Sequence, residues 1–329
     1  MDNNVGPPLP APLEAPAVPV SGARLSIVIP VYWNESSLPS LENGLLWLKA
    51  RLVERGMTLE VVAVNDGSGD GSLDGLLAIK SRRPWLKVVS LARNFGAVAA
   101  SKTGLRYVTG DCFIIVAADL QDPLETVLEM VDHWRAGSRF TIAARTSRKD
   151  PASTRALAWL YYRIVDWLVV KGYPKGGFDL MLMDRLMLPH MAGSGRNTNP
   201  NMYAFWLGIP PVVVPYERRA RTYGTSRWTF RKKLNFMIDT VSGFSVAPIR
   251  ILSGFGTGVA LLAFMYGINI VVQAALGNSE VQGFPTIVAL IAFFSGIILV
   301  MLGVIGEYIW RIFDNVSGKP ESVVERTWL

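Results

Sequence analysis

The stretch "FIIVAADLQDP", Phe113 to Pro123, is an apolar run that ends in polar groups. Asp119 and Gln121 are two residues apart, so in an extended turn a carboxylate and a carboxamide point the same way. Ala117 lies on that same side, and no second carboxylate joins them. Other apolar runs end alike. Tyr32, Asn34 and Glu35 follow "LSIVIPV", Asn65 and Asp66 follow "LEVVAV", Arg93 and Asn94 follow "LKVVSLA", and Arg145 ends "FTIAAR". Groups of these types can bind and orient one polar ligand if the five ends converge. Asp179 stands further on in "GGFDLML", and seven cations flank Gly224 in "ERRARTYGTSRWTFRKKL". There are two histidines, His133 and His190, and one cysteine, Cys112, so neither a zinc cluster nor an intrachain disulfide is expected. The dinucleotide fingerprint is missing after the first apolar run, and there is no Walker phosphate loop. "NDGSGDGS" alone is as readily an ordinary turn.

The elements that must position these residues alternate regularly. Short β-rich runs over residues 24–145 are separated by helical patterns, such as Leu38, Leu41, Leu45, Leu48 and Leu52. Near-continuous apolar strands between helices indicate a parallel sheet covered on both faces. The expected fold is α/β, a doubly wound, mostly parallel sheet, and such sheets bind ligands at the carboxyl ends of their strands.

The chain has 329 residues, is 50% apolar and carries a formal net charge of +7. Residues 1–23 are proline-rich and read as a disordered tail without signal-peptide character. No charge occurs from Ile251 to Ser279 or from Val281 to Gly306. Each run exceeds the roughly 20 residues that a membrane helix needs. Spans are expected over 251–275 and 283–306, after a catalytic region at 24–230 and an amphipathic juxtamembrane segment at 231–250. A cytoplasmic tail at 307–329 follows. Arg and Lys flank the hairpin and none occurs in its connection, which places both ends in the cytoplasm. "WLYYRIVDWLVV" and "LNFMIDTVSGFSVAPI" are candidate surface-lying helices, and Gly254 and Gly258 have the spacing of close helix contacts, within a subunit or in a homo-oligomer.

Taken together, "IVIPVYWNESSL", "AVNDGSGDGS", "LARNFGAVAASKTGL", "AADLQDP" and "RTYGTSRWT" resemble glycosyltransferase family 2, and more narrowly its polyprenyl-phosphate glycosyltransferases. The resemblance implies a GT-A fold and inverting transfer of a sugar, from a UDP-sugar for preference, to a polyprenyl phosphate such as undecaprenyl phosphate. It implies membrane lipid as a partner and no nucleic acid. It implies that Pro30, Tyr32, Asn34, Glu35, Asn65, Asp66, Arg93, Asn94, Ala118 and Asp119 line the nucleotide. Asp119 and Gln121 would hold Mg²⁺ or Mn²⁺, Arg145, Arg221, Ser226 and Arg227 would meet the acceptor phosphate, and Asp179 would be the acid near the acceptor. The chain departs from the family pattern at Trp33, Asn65, Ala117 and "GGFDLML".

The chemistry suits these residues. A departing nucleoside diphosphate needs its charge neutralised, and a hard cation takes much of its shell from phosphates and water. A phosphate monoester is largely a dianion at neutral pH, so it needs positioning more than a strong base. Arg231, Lys232 and Lys233 fit attraction to anionic headgroups. Two alternatives are a non-catalytic membrane scaffold, on Ala117 and Asn65, and a processive polysaccharide synthase. The second lacks its Q-x-x-R-W motif, since Gly224 stands where the glutamine belongs.

Overall fold

A computed structural model describes residues 22–145, 163–167, 169–170, 172–174, 177–196, 198–217, 237, 240–276 and 283–329. Each apolar run of the N-terminal half becomes a strand: β1 (Arg24–Val31), β2 (Thr58–Asn65), β3 (Leu86–Leu91), β4 (Cys112–Ile115) and β5 (Phe140–Arg145). The helices between them are α1 (Leu38–Glu54), α2 (Ser72–Arg82), α3 (Ala97–Leu105) and α4 (Leu124–Arg135). Then come β6 (Leu180–Asp184), the short helices α5 (Leu188–Ala192) and α6 (Pro200–Trp206), and β7 (Val212–Tyr216). Two long helices, α7 (Ala247–Ala275) and α8 (Phe284–Val316), precede a last strand, β8 (Val324–Trp328).

The eight strands form one sheet in the order β7-β5-β6-β4-β1-β2-β3-β8. β1 to β5 and β7 run parallel, while β6 is antiparallel to β4 and β5, and β8 is antiparallel to β3. The expected mostly parallel, doubly wound GT-A sheet is therefore present. The two antiparallel strands lie outside the run of alternating elements from which it was read.

Strand alternation divides the core. Leu25, Ile27 and Ile29 of β1 face Leu38, Leu41, Leu45, Leu48 and Leu52 of α1, with Leu76 of α2 and Val127 of α4 on the same side. Val28, Val62 and Val64 face Ala100 and Leu105 of α3, Met191 of α5 and Met202 of α6. α3 comes so close that a β-carbon at Gly104 would run into the side chains of Val28 and Val64.

The winding reverses beside β1. The chain goes outward through β2 and β3, then returns to place β4 on the other side of β1. Ligands bind such sheets at the reversal, beyond the carboxyl ends of the strands. The ends of β1 and β4, with Tyr32 and Asp119 just beyond them, meet that description.

The C-terminal third leaves the sheet and comes back. α7 and α8 include stretches long and apolar enough to cross a membrane, Ala247–Asn269 and Phe293–Val316, and neither is buried. Phe255, Leu262, Phe264, Phe293 and Leu299 are among their exposed side chains. Apolar surface of this extent needs a hydrocarbon cover. Where the two helices touch, Gly256 is the close-approach residue, next to Met301. A β-carbon at Gly254 or Gly258 would meet nothing within 4 Å, so their spacing serves no contact within the described hairpin. α8 runs on past Gly306, and its far end is tied to the catalytic domain by Arg196 to Asp314, 3.3 Å. Beyond it, Lys102 of α3, 3% exposed, donates to the Gly195 carbonyl at 2.6 Å and the Glu321 carboxylate at 3.1 Å. Thr103 and Ser322 share a short hydroxyl bond, and β8 then joins the sheet edge. The segment expected as a tail thus forms the edge strand of the catalytic sheet.

At the opposite end of the strands from the site, Glu60 of β2 is buried among Lys87 (2.7 Å), Ser26 (2.5 Å) and Thr109 (2.8 Å from its N–H). Burial raises its pKa, but bonds from Lys87, Ser26 and Thr109 outweigh that and hold it at about 2. With a folded pKa below the unfolded one, its contribution is complete above about pH 4.5 and is lost as pH falls towards 2. Glu60→Gln should cost on the order of 3 kcal/mol at pH 7. The gap from wild type, read by thermal unfolding in detergent, should narrow below pH 4.5. A gap that does not change with pH would remove the charge from this account.

Candidate active site

Three loops meet beyond β1, β2 and β3. Tyr32 N–H donates to Asn34 Oδ1 at 3.0 Å, and Asn34 N–H to Ser72 Oγ at 2.9 Å. Glu35 Oε2 accepts from Gly71 N–H at 2.9 Å, while Asp70 accepts from Glu35 N–H at 3.3 Å. Both residues that could fill the acidic position after Tyr32 thus brace the glycine-rich loop. Trp33 has φ 55°, in the left-handed region, and its N–H is held by Ser68 Oγ at 3.2 Å. Tyr32 and Trp33 are exposed and meet edge to face.

Asn65 is buried and turned sideways, with Nδ2 donating to Ser90 Oγ of β3 at 3.2 Å. Asp66, 1% exposed, is filled by the next loop. Its Oδ1 accepts from Phe95 N–H at 2.7 Å, and its Oδ2 from Gly96 N–H at 2.9 Å and Asn94 Nδ2 at 3.1 Å. Burial raises its pKa, and the two backbone bonds oppose that shift. Gly67, at φ 64°, lets the Asp66 loop lie against the backbone of Arg93. The Arg93 guanidinium lies 4.1 Å from the Phe95 ring centre. Within this structure Asp66 is the anchor of residues 94–96.

The second group gathers beyond β4, β5 and β7. Strand β4 stops at Ile115, and residues 116–123 form an irregular turn. Leu120, at φ 47°, sits between Asp119 and Gln121, so the turn is not extended and spacing alone does not align the two side chains. A left-handed backbone is costly for a leucine. Its packing against α1, where it lies under Gly44, holds it there. Asp119 is half-buried and its Oδ1 accepts from Gln121 N–H at 3.4 Å. Gln121 is buried, and its side-chain amide makes no hydrogen bond among the described residues. Ala118 is buried and Ala117 exposed, while Pro30 lies in β1. Asp122 accepts from the Tyr216 hydroxyl at 2.8 Å.

Asp179 is the hub of this group. Arg145 grips it with both ends of its fork, Nε to Oδ2 at 2.5 Å and Nη2 to Oδ1 at 2.7 Å. Tyr216 donates to Oδ2 at 2.7 Å. The Asp179 bond raises the pKa of Arg145 further, so it stays a cation. Burial, then the carboxylates of Asp179 and Asp122, push Tyr216 well up, so it stays a donor. The structure thus brings Asp179 and Arg145 together. Arg221, Ser226 and Arg227 lie outside the described residues, as do residues 1–21 and residues 159–162 and 168 of the first aromatic segment. Sequence reasoning passed over Tyr216 and the bond between Tyr216 and Asp122. Tyr216 ends the apolar run "VVVPY", the same signal that picked out the other strand ends.

The donor set at β4 suits a hard divalent cation. One carboxylate and one carboxamide oxygen are oxygen ligands, and no cluster of three or more His, Cys, Asp or Glu gathers among the described residues. A cation here would draw most of its shell from a bound phosphate and water.

The description "Glycosyl transferase family 2" matches residues 26–196. The chain is 32% identical over 308 residues to an uncharacterized glycosyltransferase of Synechocystis, covering 93% of this chain and 96% of that protein. It is 28% identical over 306 residues to a prophage-derived bactoprenol glucosyl transferase of Shigella flexneri, covering 92% and 98%. It is 30% identical over 307 residues to an undecaprenyl-phosphate 4-deoxy-4-formamido-L-arabinose transferase of Klebsiella pneumoniae, covering 92% and 93%. The chain belongs to glycosyltransferase family 2. It is a glycosyltransferase, and its two exposed apolar helices make it a membrane-associated one.

The Asp66 anchor can be tested without substrate. Asp66→Asn places an amide NH₂ or a lone oxygen against three donors, leaving at least one unmet, at a cost of about 1–3 kcal/mol. Amide exchange at Phe95 and Gly96 should quicken while that of β1 and β2 stays slow. Unchanged exchange would show that the loop is held by other contacts.

Proposed function

We propose that this chain moves a sugar from a nucleotide sugar, a UDP-sugar for preference, onto the phosphate of a membrane polyprenol such as undecaprenyl phosphate. The product is a lipid-linked sugar for modifying cell-envelope glycans. One observation carries this reading: a strand-end site for polar ligands is joined at both sides to an exposed apolar hairpin, since β7 leads towards it and β8 returns from it. The names of the Shigella and Klebsiella relatives support a polyprenyl-phosphate acceptor. The pairing of β8 with β3 supports a hairpin whose two ends lie on the catalytic side, and flanking Arg and Lys favour the cytoplasm.

The acceptor oxygen attacks the anomeric carbon as the bond from that carbon to the diphosphate breaks. The nucleoside diphosphate leaves from the opposite face, which inverts the centre. The nucleoside would lie beyond β1 to β3, along Tyr32, Asn34, Glu35 and the loop that Asp66 anchors. Asp119 and Gln121 would hold Mg²⁺ or Mn²⁺, which supplies charge neutralisation for the departing diphosphate. Arg145 keeps two donors on Asp179, and in this reading its Nη1 would meet the acceptor phosphate. Asp179 would orient the acceptor or the sugar. Arg221, Ser226 and Arg227 would close over the diphosphate from the segment after β7.

The test is to incubate purified protein in liposomes with undecaprenyl phosphate and labelled UDP-glucose, UDP-galactose and GDP-mannose, then extract the lipid. One of the three should appear in the lipid phase, and label that stays in water with all of them would sink the reading. Asp119→Ala, or excess EDTA on the wild type, should lower transfer on the order of a hundredfold or more, as several kcal/mol of charge stabilisation requires. Full transfer in EDTA would remove the metal.

The two loop arginines make a separate test. Arg221→Lys and Arg227→Lys keep the charge but lose the planar fork, so turnover should fall on the order of tenfold. Arg231→Gln and Lys232→Gln should mainly weaken liposome binding, and less so at high salt. If both pairs respond alike to salt, the segment is a membrane anchor throughout.

A further inference from the structure

We propose that Tyr216 is a positioning residue for the transfer, holding the Asp179 carboxylate in register with the loop that carries Asp119 and Gln121. The proposal rests on the transferase reading of the site, in which Asp179 works beside the acceptor.

Tyr216 is the last residue of β7, and its cross-strand partner in the parallel pair with β5 is Arg145. The two neighbours therefore reach the same carboxylate from adjacent strands. Arg145 sets the plane of Asp179 through a bidentate bond, and Tyr216 adds a second bond on Oδ2. A guanidinium fork alone lets a carboxylate rock about its own axis. A donor on Oδ2 from the neighbouring strand opposes that rocking when the hydroxyl proton points to it. Asp179 itself leads into β6, and its N–H is tied to the Ala143 carbonyl of β5 at 3.1 Å.

The same hydroxyl lies 2.8 Å from Asp122 Oδ1. Asp122 adjoins Gln121 and stands three residues from Asp119. One phenol thus bridges the turn after β4 and the entry to β6, two segments that the sheet does not pair at this end. A hydroxyl has one proton to donate, so its hold on Asp179 depends on where the Asp122 loop stands. Placement of the turn after β4 is thereby communicated to Asp179. Phenylalanine would fill the same volume and lose only this link.

The experiment measures kcat and donor KM for wild type, Tyr216→Phe, Asp179→Asn and the double variant in the liposome assay, with thermal unfolding of each. A hydrogen bond to a charged group is worth about 1.5–3 kcal/mol, so Tyr216→Phe should lower kcat roughly ten- to a hundredfold. Donor KM should stay unchanged, because the nucleoside side of the site is untouched. The double variant should be no slower than Asp179→Asn alone, because the tyrosine acts through that carboxylate. Wild-type kcat in Tyr216→Phe overturns the proposal. So does a double variant in which the two losses multiply, or a loss of rate that only follows a fall in thermal stability. Absence of lipid-linked product with the wild type overturns the reading and the proposal together. Product with the wild type and equally with Tyr216→Phe overturns the proposal alone.

Discussion

The pairing of β1 with β4 is the contact on which the rest of the molecule depends. β1 is covered on one side by β2 and on the other by β4, and all three run the same way. Parallel strands need long returns, and the helices that supply them cover both faces. The polar groups that end these strands are thereby left at one edge, where the winding reverses. Nothing else in the fold could bring Tyr32, Asp66 and Asp119 to a common rim from positions so far apart in the chain.

Much of the polar chemistry at that rim is already spoken for within the protein. Asp66 is filled by three donors, Glu35 by a glycine amide, and Asp179 by an arginine and a tyrosine. A carboxylate buried without such partners would carry a large desolvation cost. The bonds hold the loops in one arrangement before any ligand arrives, which is what an electrostatic site needs. The Asp119 turn is built differently. Its shape comes from a left-handed leucine packed on α1, and the Gln121 amide has no hydrogen-bond partner among the described residues.

The hairpin is bound to the catalytic domain by polar contacts rather than by its apolar surface. Asp314, Glu321 and Ser322 reach Arg196, Lys102 and Thr103, and β8 extends the sheet beyond β3. Lys102 lies in the helix that begins at Gly96, where Asp66 holds the loop. The returning segment and the rim are therefore braced through the same helix, α3.

The alternation of apolar runs with helical periodicity was enough to read the first five strands, the four helices and the edge at which ligands bind, because burial on both faces leaves a plain mark on composition. The two uncharged runs were legible for the same reason. Asp119 and Arg145 were legible as polar groups that end apolar runs, and Asp179 through the family resemblance, though their partners were not. Strand β8, "VERTW", carries alternating charge and pairs through its backbone at an edge, so no apolar pattern announces it. The left-handed Leu120 arises from packing against a helix some 80 residues away in sequence, and spacing cannot show it. Tyr216 became part of the site only when β7 paired with β5 and set it opposite Arg145. Over residues 24–145 and the two uncharged runs, the sequence by itself determined which segments are helix or strand and which polar types stand at their ends, since these follow from local periodicity. Only the tertiary structure decided which of those ends meet, because hydrogen bonds between distant segments depend on strand order and register, and neither is written in any one segment.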